Sequence, residues 1–252
     1  MGRGSGALAL LRSGRYKAPM NAPNPILCAI DTADPGRARS LASALAGVVG
    51  GIKLGLEFFV ANGPAGVAAV TGGGLPLFLD LKLHDIPNTV AAAVRSAAAL
   101  GPMLLTLQAS GGPAMMRAAV EAAEQSAPGR RMKLLGVTVL TSLDDGDLDA
   151  VGQVGPVGEQ VERLAILARD SGLDGVVCSP REVADLREVC GPDFLLVVPG
   201  IRPAGSASGD QKRVMGPRAA MQAGADYLVI GRPITEHAHP ATAAQAILDE
   251  LK

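Results

Sequence analysis

From Ile26 onward the chain alternates between two kinds of segment. Short apolar runs rich in Val, Ile and Leu are separated by longer Ala-rich stretches whose apolar positions recur at helical spacing, the rhythm of repeated βα units. Eight runs read as strands: Ile26–Ile30, Gly51–Leu54, Leu77–Leu81, Met103–Leu107, Leu134–Leu140, Gly175–Cys178, Phe194–Val198 and Tyr227–Ile230. None shows strict polar alternation, so both faces of each strand are expected to be covered. That pattern suits a closed parallel sheet with helices outside and its own side chains within. The expected fold class is α/β, a single-domain (β/α)8 TIM barrel over residues 26–252.

Punctuation between the runs agrees. Pro35, Pro64, Pro87, Pro113, Pro180, Pro217 and Pro240 stand where a first helical turn would begin, where a missing N–H costs nothing. Asp34 and Ser179, each before a proline, read as N-caps, and Gly101, Gly172 and Gly224 as helix stops in left-handed conformation. The polar segment 144–158 reads as a βα loop with a short helical turn. Residues 204–211, AGSASGDQ, read as a flexible loop after the seventh strand, on the side where barrel active sites lie.

A length of 252 residues is filled by one barrel. With 48% hydrophobic and 19% charged residues, such a chain buries on the order of 70% of its unfolded surface, which excludes a disordered protein or a disulfide scaffold. Lys and Arg number 23 against 24 Asp and Glu, a net charge of −1 that gives no pull towards a polyanion. Four Phe, two Tyr and no Trp leave no stacking platform for single strands, so nucleic acid is not expected as a partner. Cys28, Cys178 and Cys190 lack metal-ligand spacing and fit a reducing cytoplasm. No apolar run approaches the 18 or so residues of a membrane span. Residues 1–25 carry Arg3, Arg12, Arg15 and Lys17 without an acid, and their apolar stretch 7–11 is short for a signal peptide. This leader is expected to be disordered, with Met20 the natural start.

The densest polar cluster in apolar surroundings is Leu79-Asp80-Leu81-Lys82-Leu83-His84-Asp85, where the third strand runs out. Asp80 and Lys82, two apart, project from one face of a strand about 6.5 Å apart along the chain, and Lys82 and Asp85 converge if the loop curls. Lys53 ends the second strand and Asp31 the first, so three consecutive strand ends bring ionisable groups to one end of the barrel. A salt-bridge plug is the structural alternative. It must bury several charges that hydrophobic residues would replace at little loss, which favours function. Arg202 in PGIR and Gly231-Arg232 after strand eight lie in the two loops that barrels often use for a phosphate: glycine admits backbone N–H groups to an anion, and arginine offers a fixed fork of donors. His237 and His239, beside Pro240, read as the start of a solvated helix rather than a metal site. His84 is expected on the opposite face from Asp80, in a structural role.

The strings AID at 29–31, IKLG at 52–55, FLDLKLHDIPNTV at 78–90, ASGG at 109–112, VTVLTS at 137–142, PGIRP at 199–203, GDQKR at 209–213 and IGRPI at 230–234 together resemble the bacterial orotidine 5′-phosphate decarboxylases. The resemblance spans 26–252 in order. It implies a homodimeric barrel that converts orotidine 5′-phosphate to uridine 5′-phosphate and CO2 in de novo pyrimidine synthesis, with no metal or organic cofactor. It also implies that Lys53, Asp80, Lys82 and Asp85 form the catalytic array, with Asp85 and Thr89 reaching the partner subunit's site. Asp31 and Lys53 would hold ribose hydroxyls, Thr141 and Ser142 would lie by the pyrimidine, and Arg202, Gln211, Gly231 and Arg232 would hold phosphate. Two positions depart from the family: Gln108 where His is frequent, and Gly216 where Thr is frequent. Two other readings stand beside this one, an Mg-dependent phosphosugar aldolase or decarboxylase of the same barrel type, and a non-catalytic barrel that binds a phosphate ligand.

Overall fold

A computed structural model describes residues 24–129, 131–203 and 215–251. The expected leader, apart from its last two residues, and the 204–211 loop with Gln211 lie outside them. Eight parallel strands close in sequence order into one barrel. They are β1 (Ile26–Ile30), β2 (Gly51–Leu54), β3 (Leu77–Leu83), β4 (Leu104–Gln108), β5 (Lys133–Val137), β6 (Gly175–Val177), β7 (Leu195–Val198) and β8 (Tyr227–Ile230). Each faces a helix or a helix pair. The helices are α1 (Pro35–Leu45), α2 (Leu56–Thr71), α3 (Pro87–Ala98), α4 (Gly112–Ser126), α5 (Asp145–Ala150), α6 (Val157–Asp170), α7 (Val183–Cys190), α8 (Pro217–Ala223), α9 (Arg232–Thr235) and α10 (Pro240–Leu251).

The pattern locates all eight strands, three of them residue for residue. β5 stops at Val137 rather than at Leu140, and β3 continues to Leu83. Prolines open α1, α3, α8 and α10 as expected, and Asp34 caps α1 by accepting from the N–H groups of Gly36 and Arg37. Two starts differ. Pro64 sits inside α2, where Gly63 breaks the helix at φ 59°, so it opens only the second half of a helix that begins at Leu56. Beyond Pro180 the chain makes one turn before α7, closed by the Ser179 N–H donating to the Glu182 carboxylate and by the Ser179 hydroxyl accepting from the Arg181 N–H.

Strand alternation divides the core in two. Leu27, Ala29, Phe78, Leu104, Leu135, Val197 and Val229 share the inner face and form a compact cluster within the barrel. The opposite faces, with Ile26, Cys28, Ile30, Ile52 and Leu54, pack against helix residues such as Leu41, Phe58 and Val90. Each fully buried side chain of this size contributes roughly 1.5–3 kcal/mol.

Two carboxylates tie the lower rim, at the N-terminal ends of the strands. Asp174, just before β6, donates its N–H to the Leu134 carbonyl and accepts the Leu134 N–H on its side chain at 2.8 Å. Asp226, just before β8, repeats the pattern with Leu196 at 2.7 Å. Arg131 and Lys133 neutralise Asp174, and Arg187 neutralises Asp226 while also donating to the carbonyls of Gly191, Phe194 and Gly224. Among the described residues no helix is long and apolar enough to cross a membrane. All three cysteines are buried and free.

Asp174→Ala leaves the Leu134 N–H and two cations without their acceptor, so unfolding in urea is expected to show a loss of about 2–4 kcal/mol. Asp174→Asn, which keeps one acceptor for Leu134, is expected to lose less. Equal losses would mean that charge alone matters there.

Candidate active site

A cavity of about 530 Å³ opens at the C-terminal end of the strands, lined by Asp31, Lys53, Asp80, Lys82, Thr141, Arg202, Gly231 and Arg232 among others. Eight of the residues expected from the sequence therefore meet in one space. Three strand ends supply the charged floor. Lys53 on β2 lies 3.3 Å from Asp31 and 3.5 Å from Asp80, and Lys82 on β3 lies 2.9 Å from the other oxygen of Asp80. Side-chain exposure falls from 61% at Asp31 to 28% at Lys82 and to 13% and 12% at Asp80 and Lys53, so the central pair is sheltered while its neighbours meet solvent.

Burial sets the electrostatics. It would lift the Asp80 carboxyl, but Lys53 and Lys82 outweigh it and hold Asp80 below the ordinary carboxylate value. It would likewise depress the Lys53 ammonium, but Asp80 and then Asp31 overcome the penalty and raise it above the ordinary lysine value. The cavity therefore holds a fixed carboxylate between ammonium groups, an arrangement able to position a proton donor and to face a developing negative charge. Cys178 also lines the space, but burial drives its thiol well above the usual range, which suits a packing role rather than a nucleophile.

Backbone geometry at the floor departs from simple alternation. The register of β3 against β4 shifts between Leu79 and Leu83, and Lys82 has φ 51°, the one non-glycine with positive φ among the described residues. Such a conformation in a side-chain-bearing residue costs on the order of 1–3 kcal/mol and persists only where neighbours enforce it. Thr106 on β4 enforces it by accepting the Lys82 N–H at 2.9 Å and donating to Asp80 at 2.9 Å. Sequence reading missed Thr106. Its one signal is that, with Gln108, it is polar on the inner face of an otherwise apolar strand.

At the opposite wall, Arg202 follows β7 and Gly231-Arg232 follows β8. A Cβ on Gly231 would lie 3.4 Å from the Ala29 Cβ and 3.8 Å from the Asp31 carboxylate, so any side chain there would project into the cavity and hide the backbone. Gly55, also missed, has a related duty, since a Cβ there would press on the Lys53 ammonium at 3.1 Å. Glu236 lines the same wall, one helical turn beyond Arg232.

Other expected residues are placed elsewhere. Asp85 does not meet Lys82 within the chain: its carboxylate is exposed and accepts the Ile86 N–H at 2.6 Å. Thr89, in the first turn of α3, and Ser142, beside Thr141, are exposed and outside the cavity lining. Gln211 lies outside the described residues. His84 is exposed beside Gly111, and Gln108 ends β4 half-buried. Gly216 occupies the N-cap of α8 without a side-chain bond, as expected for a glycine there. The His239 N–H donates to the His237 ring, and among the described residues no group of three or more His, Cys, Asp or Glu is placed to hold a metal ion.

Comparison with known proteins adds an independent line. The orotidine 5′-phosphate decarboxylase / HUMPS family pattern matches residues 24–247. The chain is 58% identical over 231 residues to the orotidine 5′-phosphate decarboxylase of Paramagnetospirillum magneticum, covering 90% of this chain and 98% of that protein. It is 57% identical over 232 residues to that of Rhodospirillum rubrum, covering 90% and 94%. The crystal structure of the Lactobacillus acidophilus orotidine 5′-phosphate decarboxylase superposes with a TM-score of 0.78 at 37% identity, covering 91% of this chain and 99% of that one.

The shifts of Asp80 and Lys53 have a testable sign. With its folded value below the ordinary 3.8, Asp80 contributes stability that is present above about pH 4 and lost as pH falls through the lowered value. Lys53, raised above 10.5, contributes stability that is complete below that value and lost as pH rises through the raised one. Asp80→Asn is therefore expected to unfold about 2 kcal/mol more easily than wild type across neutral pH, with the gap narrowing below about pH 4. Thermal unfolding from acid to neutral pH reads this, and a gap that stays constant into the acid range would mean that Asp80 carries no depressed pKa.

Proposed function

The chain belongs to the orotidine 5′-phosphate decarboxylase / HUMPS family, and from that premise we propose how its cavity works. It converts orotidine 5′-phosphate to uridine 5′-phosphate and CO2, the decarboxylation that serves pyrimidine biosynthesis. The observation that carries the reading is Asp80 held between Lys53 and Lys82 at one side of a cavity whose other side presents Arg202, Gly231 and Arg232.

Loss of CO2 from C6 leaves an electron pair in the plane of the pyrimidine ring, orthogonal to the π system. Resonance cannot spread that charge. Catalysis must stabilise it electrostatically and then deliver a proton, and an ammonium group does both. Lys82 is assigned this role. Asp80 repels the substrate carboxylate in the ground state, and the repulsion is relieved as CO2 departs while Lys82 stays beside the new anion. Within one chain Asp31, Lys53, Asp80 and Lys82 alternate in sign. Lys53 keeps Asp80 ionised, and together with Asp31 it faces the ribose hydroxyls.

Phosphate is assigned to Arg202, Gln211, Gly231 and Arg232, with Thr141 and Ser142 beside the pyrimidine. Binding energy gained at the phosphate is then expressed at the reacting carbon, by fixing the ring against Lys82. The active assembly in this reading is a homodimer, with Asp85 and Thr89 completing the partner's site. Their exposure at the end of β3 and the start of α3, beside an Ile86 that is 66% exposed, supports that assignment. The reaction needs no metal or organic cofactor in this reading, and the site of action is the cytoplasm.

With orotidine 5′-phosphate and excess chelator, the wild-type chain is expected to form uridine 5′-phosphate, and Lys82→Ala to lose at least about 10³-fold in kcat. A folded wild type that forms no product would overturn this reading, and turnover of a phosphosugar on adding Mg²⁺ would put the aldolase-type reading in its place. Shared sites have their own test. Lys82→Ala and Asp85→Ala chains, each inactive alone, are expected to recover part of the activity when mixed, whereas no recovery despite proven subunit exchange would remove Asp85 from the partner's site.

A further inference from the structure

We propose that Thr106 is a positioning residue for the decarboxylation, one that orients the Asp80 carboxylate and the Lys82 backbone from behind the cavity wall. The inference rests on the function proposed above and deepens it. Thr106 lies on the inner face of β4, two residues beyond Leu104 of the interior cluster, and is fully buried without lining the cavity. A valine would fill the same space, so burial alone does not account for a hydroxyl. A hydroxyl has one proton and two lone pairs. The proton goes to Asp80 Oδ1 at 2.9 Å, and a lone pair accepts the Lys82 N–H at 2.9 Å.

These two bonds close a ring. The Lys82 ammonium reaches the same Oδ1 at 2.9 Å, so Lys82 is held at its backbone by the Thr106 oxygen and at its tip by the carboxylate that Thr106 orients. The other carboxylate oxygen is thereby turned to Lys53, 3.5 Å away. The ring spans the place where β3 loses register with β4 and Lys82 takes φ 51°, a distortion that removes its N–H from the ordinary ladder and gives it to the hydroxyl instead. Without the hydroxyl, the carboxylate is free to rotate about its terminal bond and the Lys82 tip moves with it. Displacing a proton donor by about 1 Å costs on the order of 100-fold in rate while contacts at the far end of the substrate persist.

The test compares wild type, Thr106→Val and Thr106→Ser on orotidine 5′-phosphate. For Thr106→Val, kcat is expected to fall roughly 10- to 100-fold with KM changed less than about twofold, and Thr106→Ser, which restores the hydroxyl, is expected to return to within about threefold of wild type. A second measurement reads the same link without turnover: a cycle of Thr106→Val, Asp80→Ala and the double variant in urea unfolding, expected to be non-additive. Wild-type kcat in Thr106→Val, an additive cycle, or a folded Thr106→Ser no better than Thr106→Val would each overturn the positioning role. A wild type inactive on orotidine 5′-phosphate with a non-additive cycle would instead overturn the function and support the link between Thr106 and Asp80.

Discussion

A carboxylate with little contact with water must either take up a proton or be surrounded by donors, and Asp80 is surrounded. Lys82 and Thr106 bind one oxygen and Lys53 approaches the other. Much of the upper barrel follows from that demand. Lys53 has to come from β2 and Lys82 from β3 itself, so neighbouring strands must end at matching heights, which the parallel register of Lys53 with Phe78 provides. To place both Asp80 and the Lys82 ammonium on the inner face at contact distance, β3 gives up its regular pairing. Gly55 is kept bare so that nothing displaces the Lys53 ammonium. A hydrophobic trio of the same volume would be easier to bury, which is why the cluster is best understood through its chemistry.

The alternation of signs along Asp31, Lys53, Asp80 and Lys82 is inseparable from their geometry. In the mechanism proposed above, alternating signs let one site press on the substrate carboxylate through Asp80 and stabilise the carbanion through Lys82. Holding such a pattern in place is possible only where the dipoles do not relax, and strand ends in a closed sheet are among the stiffest positions a fold offers. Arg202, Gly231 and Arg232, the proposed phosphate contacts, by contrast follow β7 and β8 on loops, where adaptation to a ligand is an advantage.

Architecture and the charged strand ends were legible in the sequence because both rest on local signals. Runs of Val, Ile and Leu mark strands buried on two faces, prolines and Asp34 mark helix starts, and an Asp-x-Lys in an apolar run is conspicuous by composition alone. What escaped reading depends on tertiary geometry. Alternation puts Asp80 and Lys82 on one face, but it carries no notice of the left-handed turn at Lys82, which arises only when β4 presents a hydroxyl at the right height. Threonine is an ordinary strand residue, so Thr106 did not stand out from its propensity. Pro64 misled because the same proline that opens a helix can restart one after a glycine break. Spacing left open whether the loop curls Asp85 towards Lys82; within the chain it does not, because the Ile86 N–H takes its carboxylate and the chain enters α3 first.

The two ends of the barrel put one kind of side chain to opposed uses. At the lower rim, Asp174 and Asp226 bind backbone N–H groups of the preceding odd-numbered strand, and their cations serve to neutralise them. Backbone partners cannot move without unfolding a strand, so those carboxylates act as fixed clasps. At the upper rim, Asp80 has chiefly side-chain partners, two of them lysines on flexible stems. Ammonium groups can follow a substrate, exchange one anion for another and release a proton, none of which a strand N–H can do. Putting the rigid clasps below lets the upper rim tolerate a strained Lys82 and a sheltered, charge-dense floor. The strain is contained by Thr106, which binds the Lys82 backbone and the Asp80 carboxylate together, and in the positioning role proposed above the transition from scaffold to chemistry passes through that hydroxyl.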